Sequence, residues 1–256
     1  MAISRKLEAE VEGVKLDRGR VSSEFLSVII RATNFTGRPE VVHGFTTRVD
    51  LDGNRLHLGT GSSVDDWKRA ARSVGAPAMG VSFVSQVHGD EVLWASRPGL
   101  VGEADAVISD VPGLLVAVRT ADCVPILVAG QGVVAAIHAG WRGLAAGVIP
   151  QTMQKLQGAG PFVAAVGPAI GVDSYEVGEE VVNGIKSWMP EDAFVLRDRA
   201  RPHVDLAAAA AHQLRSSGVS DVEIVRVCTF TDDRLWSHRR EASKAGRQAA
   251  IVGLRC

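Results

Sequence analysis

The 256-residue chain is short of cysteine, of long apolar runs and of charge of one sign, and each shortage closes off a class of protein. Three cysteines, Cys123, Cys228 and Cys256, are too few and too widely spaced for a disulfide framework, so reduced thiols in a cytoplasmic setting are expected. No run approaches the ~18 apolar residues that span a bilayer. The opening stretch MAISRKLEAEVEGVKLDRGR alternates charge with apolar residues and has no uninterrupted apolar segment, which argues against a secretory signal. With 28 Lys and Arg against 29 Asp and Glu, a formal net charge of -1, no dense basic field gathers nucleic acid or an anionic membrane. No linker, repeat or low-complexity tract marks a domain boundary. What is present is ordinary globular composition, 46% hydrophobic and 22% charged, enough for a sizeable core in one large domain or two small ones.

Residues 1 to 22 read as a polar lead-in, partly strand, and residues 1–40 as an extension of low information. Phe25 to Ala32 and Val41 to Thr46 are expected strands around the Gly37-Arg38-Pro39 turn. Ser62 or Ser63 can cap a helix over Val64 to Val74, with Asp65 and Asp66 in its first turn and Gly75 as its stop. Short Val- and Ile-rich runs predict strands at Val81 to Val87, from Glu91, and at Ala104 to Ile108, Leu114 to Val118, Val124 to Val128 and Val133 to Ile137. A helix from Trp141 carries Leu144, Val148, Met153 and Leu156 on one stripe but contains Pro150, which predicts a kink or restart there. A strand at Phe162 to Val166 precedes a helix with Val177, Val181, Ile185 and Trp188 on its apolar face, and a second helix runs from about Val204 to Ser216. A strand at Val222 to Val227 and a pair around Leu235-Trp236 and Ala249 to Leu254 follow. Strands and helices do not alternate strictly, so the expected class is α+β, a single domain over residues 1–256 with a mixed sheet flanked by helices.

The chemistry concentrates between Gln86 and Gly143. His88, Cys123 and His138 are 35 and 15 residues apart, which excludes a local zinc finger with its close ligand pairs. The spacing suits a catalytic metal centre instead, with three ligands from separate strand ends and a fourth position open. Thiolate and imidazole favour Zn²⁺, although Cu²⁺ takes the same donors, and water on such an ion titrates near pH ~7. A buried His or Cys at a strand end is also an ordinary core residue, and spacing alone leaves both readings open. Arg142 opens a Gly-rich helix start and, with Arg48 or Arg239, is a candidate phosphate clamp. Asp105 and Asp122 are carboxylates in apolar surroundings. Each either pairs with an arginine or a backbone turn, or orients a metal-bound histidine and carries protons. Trp141 can stack on a planar ligand, while His43, His57, His203 and His212 read as structural.

The motifs SFVSQVHGDEV, RTADCVPILV, VAAIHAGWRGLAAGVI, VGPAIGVDSYEVGEEV and CTFTDDRLWSHRREASKAGRQAAIVGL, in this order, resemble the YfiH family, also called the laccase-domain, polyphenol oxidase or peptidoglycan editing factor family. The resemblance runs from about His43 to Leu254. It implies that His88, Cys123 and His138 are the metal ligands and that the fold is a layered α+β sandwich. It further implies phosphorolysis of adenosine, inosine, guanosine and methylthioadenosine, and deamination of adenosine. An older reading of the family is copper-dependent oxidation of phenols, and bacterial members are linked to editing of a muropeptide precursor. This sequence departs from the family pattern at Val49-Asp50-Leu51-Asp52 after Arg48, at His57 and at His238, and these changes are expected to surround the substrate pocket.

The resulting expectation is a zinc enzyme whose substrates are a purine nucleoside and phosphate. Arg48, Arg142 and Arg239 would align the phosphate, and Asp122 would act as proton carrier. Three competitors stand beside it: a metal-free hydrolase with Cys123 as nucleophile and His138 as base, a copper phenol oxidase, and a metal-binding module without catalysis. One Cys/His₂ set lacks the several copper clusters that four-electron oxygen reduction needs.

Overall fold

Side-chain alternation along a few Val- and Ala-rich strands sorts the apolar residues of this protein into three cores, and those cores dictate four layers. The computed structural model describes residues 28–256, so the lead-in read over residues 1 to 22 lies outside the described residues. In chain order the strands are β1 (Ile29–Ile30), β2 (Val41–Thr46), β3 (Gly80–Ser85), β4 (Val92–Trp94), β5 (Gly99–Glu103), β6 (Ala106–Ser109), β7 (Leu114–Thr120), β8 (Val124–Gly130), β9 (Val133–Ala139), β10 (Val163–Val166), β11 (Val195–Leu196), β12 (His203–Val204), β13 (Asp221–Ile224) and β14 (Gln248–Leu254). The α-helices are α1 (Val64–Ser73), α2 (Trp141–Ala146), α3 (Val148–Lys155), α4 (Glu179–Ile185), α5 (Leu206–Ser216) and α6 (His238–Glu241).

Two sheets form, one in the order β1-β2-β14-β7-β3-β5 and the other β13-β10-β8-β9-β6-β4, with β11 and β12 as a separate ribbon. Both are mixed: β3 runs parallel to β5 and β7, β4 to β6, and β10 to β13, while pairs such as β7–β14 and β8–β9 are antiparallel. On β8, Val124, Ile126 and Val128 face a core shared with Leu144, Ile149, Ile185 and Leu206 of the helices. Leu127 and Ala129 point the other way, into a core between the sheets that also holds Val116, Val118, Ala136 and Val252. The third core packs α1, through Trp67, Ala70 and Ala71, on Leu115, Ala117 and Ile251. The expected mixed sheet is therefore two mixed sheets face to face, with α1 outside one and α2 to α5 outside the other. Because a strand alternates its side chains, a residue's parity decides which layer it enters.

Local signals placed most elements. Ser63 and Asp66 close a reciprocal capping box at the start of α1, and Gly75 follows it at φ 86°. The expected break at Pro150 falls earlier, at Gly147, whose φ of 90° separates α2 from α3. Pro150 then sits in the first turn of α3, where its missing N–H leaves no helical bond unmade. Leu235 and Trp236 form a buried turn rather than a strand, because Trp236 bonds the Gln248 side chain and the Leu56 carbonyl. Strand β13 stops at Ile224, short of the expected Val227. The edge strand β5, GLVGE, gave no apolar alternation to read, and its Leu100 is exposed. Trp188 lies beyond α4 and reaches back to the Ala145 carbonyl. Within the stretch read as an extension, β1 pairs with β2 and Phe35 is buried. No helix among the described residues is long and apolar enough to cross a membrane.

The layer between the sheets should carry a substantial part of the stability. Leu127→Ala, at a fully buried position, is expected to lower unfolding free energy by about 2–5 kcal/mol. Urea unfolding measures this, and a loss under ~1 kcal/mol would show that the two sheets are not held by that core.

Candidate metal centre

Three times the chain passes from the first sheet to the second along one edge, and each passage carries a residue of the centre. The passages are β3 to β4 with His88, β5 to β6 with Asp105, and β7 to β8 with Cys123. His138 waits in the second sheet, one residue from the end of β9. Register does the rest. The β6–β9 ladder pairs Ala106 with Ile137, so one step outward Asp105 stands across from His138, and the His138 amide donates to the Asp105 carbonyl at 2.7 Å. The β8–β9 ladder pairs Val124 with Ala139, so one step outward Cys123 stands across from Gly140. Parity turns His138 and Cys123 to the inter-sheet side, alongside Ala136 and Leu127. A Cβ on Gly140 would lie 3.0 Å from Cys123 Sγ and 3.3 Å from His88 Cδ2, so only glycine leaves room for the converging side chains.

His88 has no strand to hold it. Its φ of 63° is left-handed, unusual for a non-glycine residue, and the turn is held by the fully buried Asp105 carboxylate. Asp105 Oδ1 accepts from the His88 amide at 3.0 Å, and Oδ2 accepts from the Gly89 amide at 2.6 Å and the Val87 amide at 3.3 Å. Successive amides thus form a concave anion cradle around one side chain. The same carboxylate accepts from His138 Nδ1 at 2.7 Å, which leaves Nε2 to face the centre. Gln86 secures the approach by bonding both the amide and the carbonyl of Arg119, extending the strand pairing past the end of β3.

The ligand atoms of His88, Cys123 and His138 lie within 4.8 Å of one another. The two rings are 4.9 Å apart and nearly perpendicular. His138 is buried and Cys123 half-buried, while His88 is exposed, so the centre has a dry side and a wet side. Burial alone would raise the Cys123 thiol and lower the His138 imidazole. Their mutual attraction, with hydrogen bonds from both imidazoles to the sulfur and from His138 to Asp105, outweighs it. The thiol falls to about 6 and the His138 imidazole rises to about 9. Burial likewise disfavours the charged Asp105, but His138 and the Gly89 amide hold its carboxyl below the usual range. A thiolate and two imidazoles at bonding separations, one of them oriented by a carboxylate, fit a divalent ion with a position to spare. Among the described residues this is the one such cluster.

The centre opens into a cleft of about 590 Å³, a size ordinary for small-ligand sites. Its walls bring in Arg239 and Asp122 from the sequence reading, together with Arg119, Thr120, Tyr175, His238 and Arg247. Arg48 is not among them. It pairs with Glu241 and lies over the Trp236 ring at 4.3 Å, in an adjoining groove. Arg142 is exposed, with its guanidinium over Trp141 at 4.4 Å, and it does not line the cleft either. Asp122, at φ 93°, accepts from the Thr229 hydroxyl and from the Arg239 amide, both at 2.6 Å. Both its oxygens are engaged in fastening the start of α6 to the Cys123 turn. The histidine-orienting role considered for either aspartate therefore falls to Asp105. Of the departures from the family pattern, only His238 reaches the cleft. Asp50 and Asp52 are tied to α1 through Arg69 and Arg72. The sequence did hold one signal for Arg119, a charged residue near the end of the apolar strand LLVAVRT, but nothing marked Arg247 or Tyr175.

The model of the family described as multi-copper polyphenol oxidoreductase laccase matches residues 62–255. A Deinococcus radiodurans protein named purine nucleoside phosphorylase is 36% identical over 246 residues, spanning 88% of this chain and 92% of its own. One of the same name from Streptomyces coelicolor is 39% identical over 196 residues, 72% of this chain and 79% of its own. Among solved structures, YlmD from Geobacillus stearothermophilus has a TM-score of 0.79 at 25% identity, covering 90% of this chain and 99% of that one. A Neisseria meningitidis protein has a TM-score of 0.72 at 32% identity, with 85% and 96% covered.

If Asp105 sets the His138 tautomer, Asp105→Asn should weaken metal binding by roughly 10–100-fold, because an amide that donates to Nδ1 moves the ring proton onto Nε2. Competition with a chelating dye reads the affinity, and an unchanged value would remove Asp105 from the centre's design.

Proposed function

This chain belongs to the laccase-domain family of multi-copper polyphenol oxidoreductases, and from that premise we propose that it is a zinc enzyme acting on purine nucleosides. The reading is phosphorolysis of adenosine, inosine, guanosine and methylthioadenosine, with deamination of adenosine at the same site. The observation that carries it is the convergence of His88, Cys123 and His138 within 4.8 Å on the floor of a cleft with cationic and aromatic walls. The relatives named purine nucleoside phosphorylase supply the substrate class. Zn²⁺ is favoured over Cu²⁺ because thiolate and imidazole suit a borderline ion without redox chemistry. One Cys/His₂ cluster among the described residues also falls short of the several copper sites that four-electron oxygen reduction needs. The three cysteines are free thiols, which agrees with a cytoplasmic protein.

When bound, the ion supplies Lewis-acid stabilisation of charge developing on the substrate. The chain's own groups do the positioning. Arg239 has its guanidinium 5.3 Å from the Tyr175 ring centre and its amide fixed by Asp122, and we assign it the phosphate. Burial first, and then the Cys123 charge, push the Tyr175 phenol up to about 12, so its Oη stays protonated and we assign it as a hydrogen-bond donor to the purine. Asp122 acts through Arg239 as a positioning residue rather than as a proton carrier. Arg48 and Arg142 take no part in this assignment. The test is purine release from a nucleoside panel by zinc-loaded protein, with and without phosphate, with His88→Ala as the inactive control. Arg239→Ala should lower phosphorolysis roughly 10-fold or more while adenosine deamination falls far less, since only one reaction uses the anion. Equal losses in both reactions would separate Arg239 from phosphate.

One observation favours a second reading. Asp105, His138 and Cys123 stand in hydrogen-bonded series, the order of a cysteine hydrolase, which would act on an amide such as a peptidoglycan precursor. Activity that survives a strong chelator but is lost to a thiol alkylator would establish it. Loss to the chelator with recovery on added zinc supports the metal enzyme.

A further inference from the structure

We propose that the groove beside the cleft, lined by Arg48, Arg55, Lys244 and Trp236, is a second binding site, and that it takes a ligand carrying a chain of two or more phosphates. The groove has a volume of about 690 Å³ and shares no lining residue with the cleft. Helix α6 is the ridge between them, with His238 and Arg239 lining the cleft and Arg240 and Glu241 the groove. The inference stands apart from the nucleoside reading, because none of these groove residues has a part in it.

A tight loop sets the two arginines side by side. Val49 bridges Arg55 in antiparallel fashion, and the Leu56 amide donates to the Arg48 carbonyl at 2.8 Å. The buried Asp50 carboxylate closes the loop from within, accepting the amides of Asp52 and Asn54, both at 2.9 Å, and Arg69 Nη1 at 2.6 Å. Both guanidiniums then lie against one indole, Arg48 at 4.3 Å and Arg55 at 4.5 Å from the Trp236 ring centre. Trp236 is itself buried and donates its ring N–H to the Leu56 carbonyl. An aromatic face holds a guanidinium by cation–π attraction and leaves its edge donors free.

Four cations meet one carboxylate in this groove. Glu241 pairs with both Arg48 and Arg240, and Arg240 spends its other donors on the carbonyls of Thr229, Phe230 and Leu235. Arg55 and Lys244 are exposed, and among the described residues neither side chain forms an ion pair or a hydrogen bond. One such residue is ordinarily just solvated. Two in one groove, beside an arginine whose counter-charge is shared, leave a local surplus of positive charge on a chain whose net charge is -1.

The backbone gives a second, independent sign. Ala242 lines the groove at φ 51° and ψ -129°, a conformation costly for a residue with a Cβ and found mainly where a ligand or a function requires it. Planar guanidiniums take phosphate oxygens in pairs, and a lysine adds a point charge. Donors spread along a groove of this size match several linked phosphates rather than one. Such a chain is either a free oligophosphate or the tail of a nucleotide.

Calorimetric titration of the full chain with tripolyphosphate, adenosine 5′-triphosphate, inorganic phosphate and adenosine, at constant ionic strength, measures the site. His88→Ala is titrated in parallel, since a phosphate chain also binds an ion at the metal centre. Expected is tight binding of both phosphate chains to both proteins, with inorganic phosphate far weaker. Arg55→Gln and Lys244→Gln, both at exposed positions and checked by melting curve, should each weaken it roughly 10-fold or more. Arg142→Gln, which removes the same charge outside the groove, should not. Equal affinity for the two chains identifies a free oligophosphate, and a nucleotide that binds far tighter identifies the tail. Loss of binding in His88→Ala assigns the phosphates to the metal centre and overturns the groove. So does binding that Arg55→Gln leaves intact, that Arg142→Gln weakens as much, or that the unaltered protein lacks. None of these readouts uses purine release, so a protein inactive on every nucleoside refutes the proposed function alone.

Discussion

One buried carboxylate holds the centre together. Asp105 accepts the three amides of the turn that presents His88 and the ring proton of His138, so a single side chain fixes one ligand through its backbone and the other through its imidazole. Burying an unpaired carboxylate would be costly. Here four donors surround it, and their combined attraction both keeps Asp105 charged and stabilises the left-handed backbone at His88. Remove that charge and two of the three ligands lose their reference point.

The layered fold makes this economy available. The chain passes between sheets three times along one edge, and residues distant in sequence arrive at adjacent passages with their side chains turned toward the same gap. Strand parity decides which of them enter it. The inter-sheet core, including Leu127, Ala136 and Val118, forms the dry floor beneath them. On the wet side His88 is exposed to a cleft whose walls come from α6 and from the ends of β7 and β14. Rigid strands thus position the buried ligands, while a turn and a short helix provide the surface that meets the substrate.

Much of this was legible in the amino-acid sequence, because the signals were local. The Val- and Ile-rich runs gave strands, Ser63 and Gly75 bracketed α1, and His88, Cys123 and His138 stood out by residue type at strand ends. Charged residues were harder to place. Arg48 and Arg142 were candidates for an anion clamp by residue type and position, with a plain surface arginine as the other reading, and one is paired with Glu241 while the other stacks on Trp141 outside the cleft. The sequence reading gave the chemical role to Asp122 and not to Asp105, and only the register of β6 against β9 set Asp105 beside His138. Arg119 and Arg247 were passed over because nothing in either segment shows that two antiparallel strands bring them together.

By itself the sequence determined which donor residue types were available, the strand and helix periodicity, and the scarcity of cysteine and of long apolar runs. Those properties depend on composition and on neighbours within a few residues. The tertiary structure alone decided which carboxylate orients the histidine, which arginines face the ligands and where the chain takes left-handed turns. These are outcomes of pairing register and of passage between sheets. A shift of one residue in either would turn the same side chains to the opposite face.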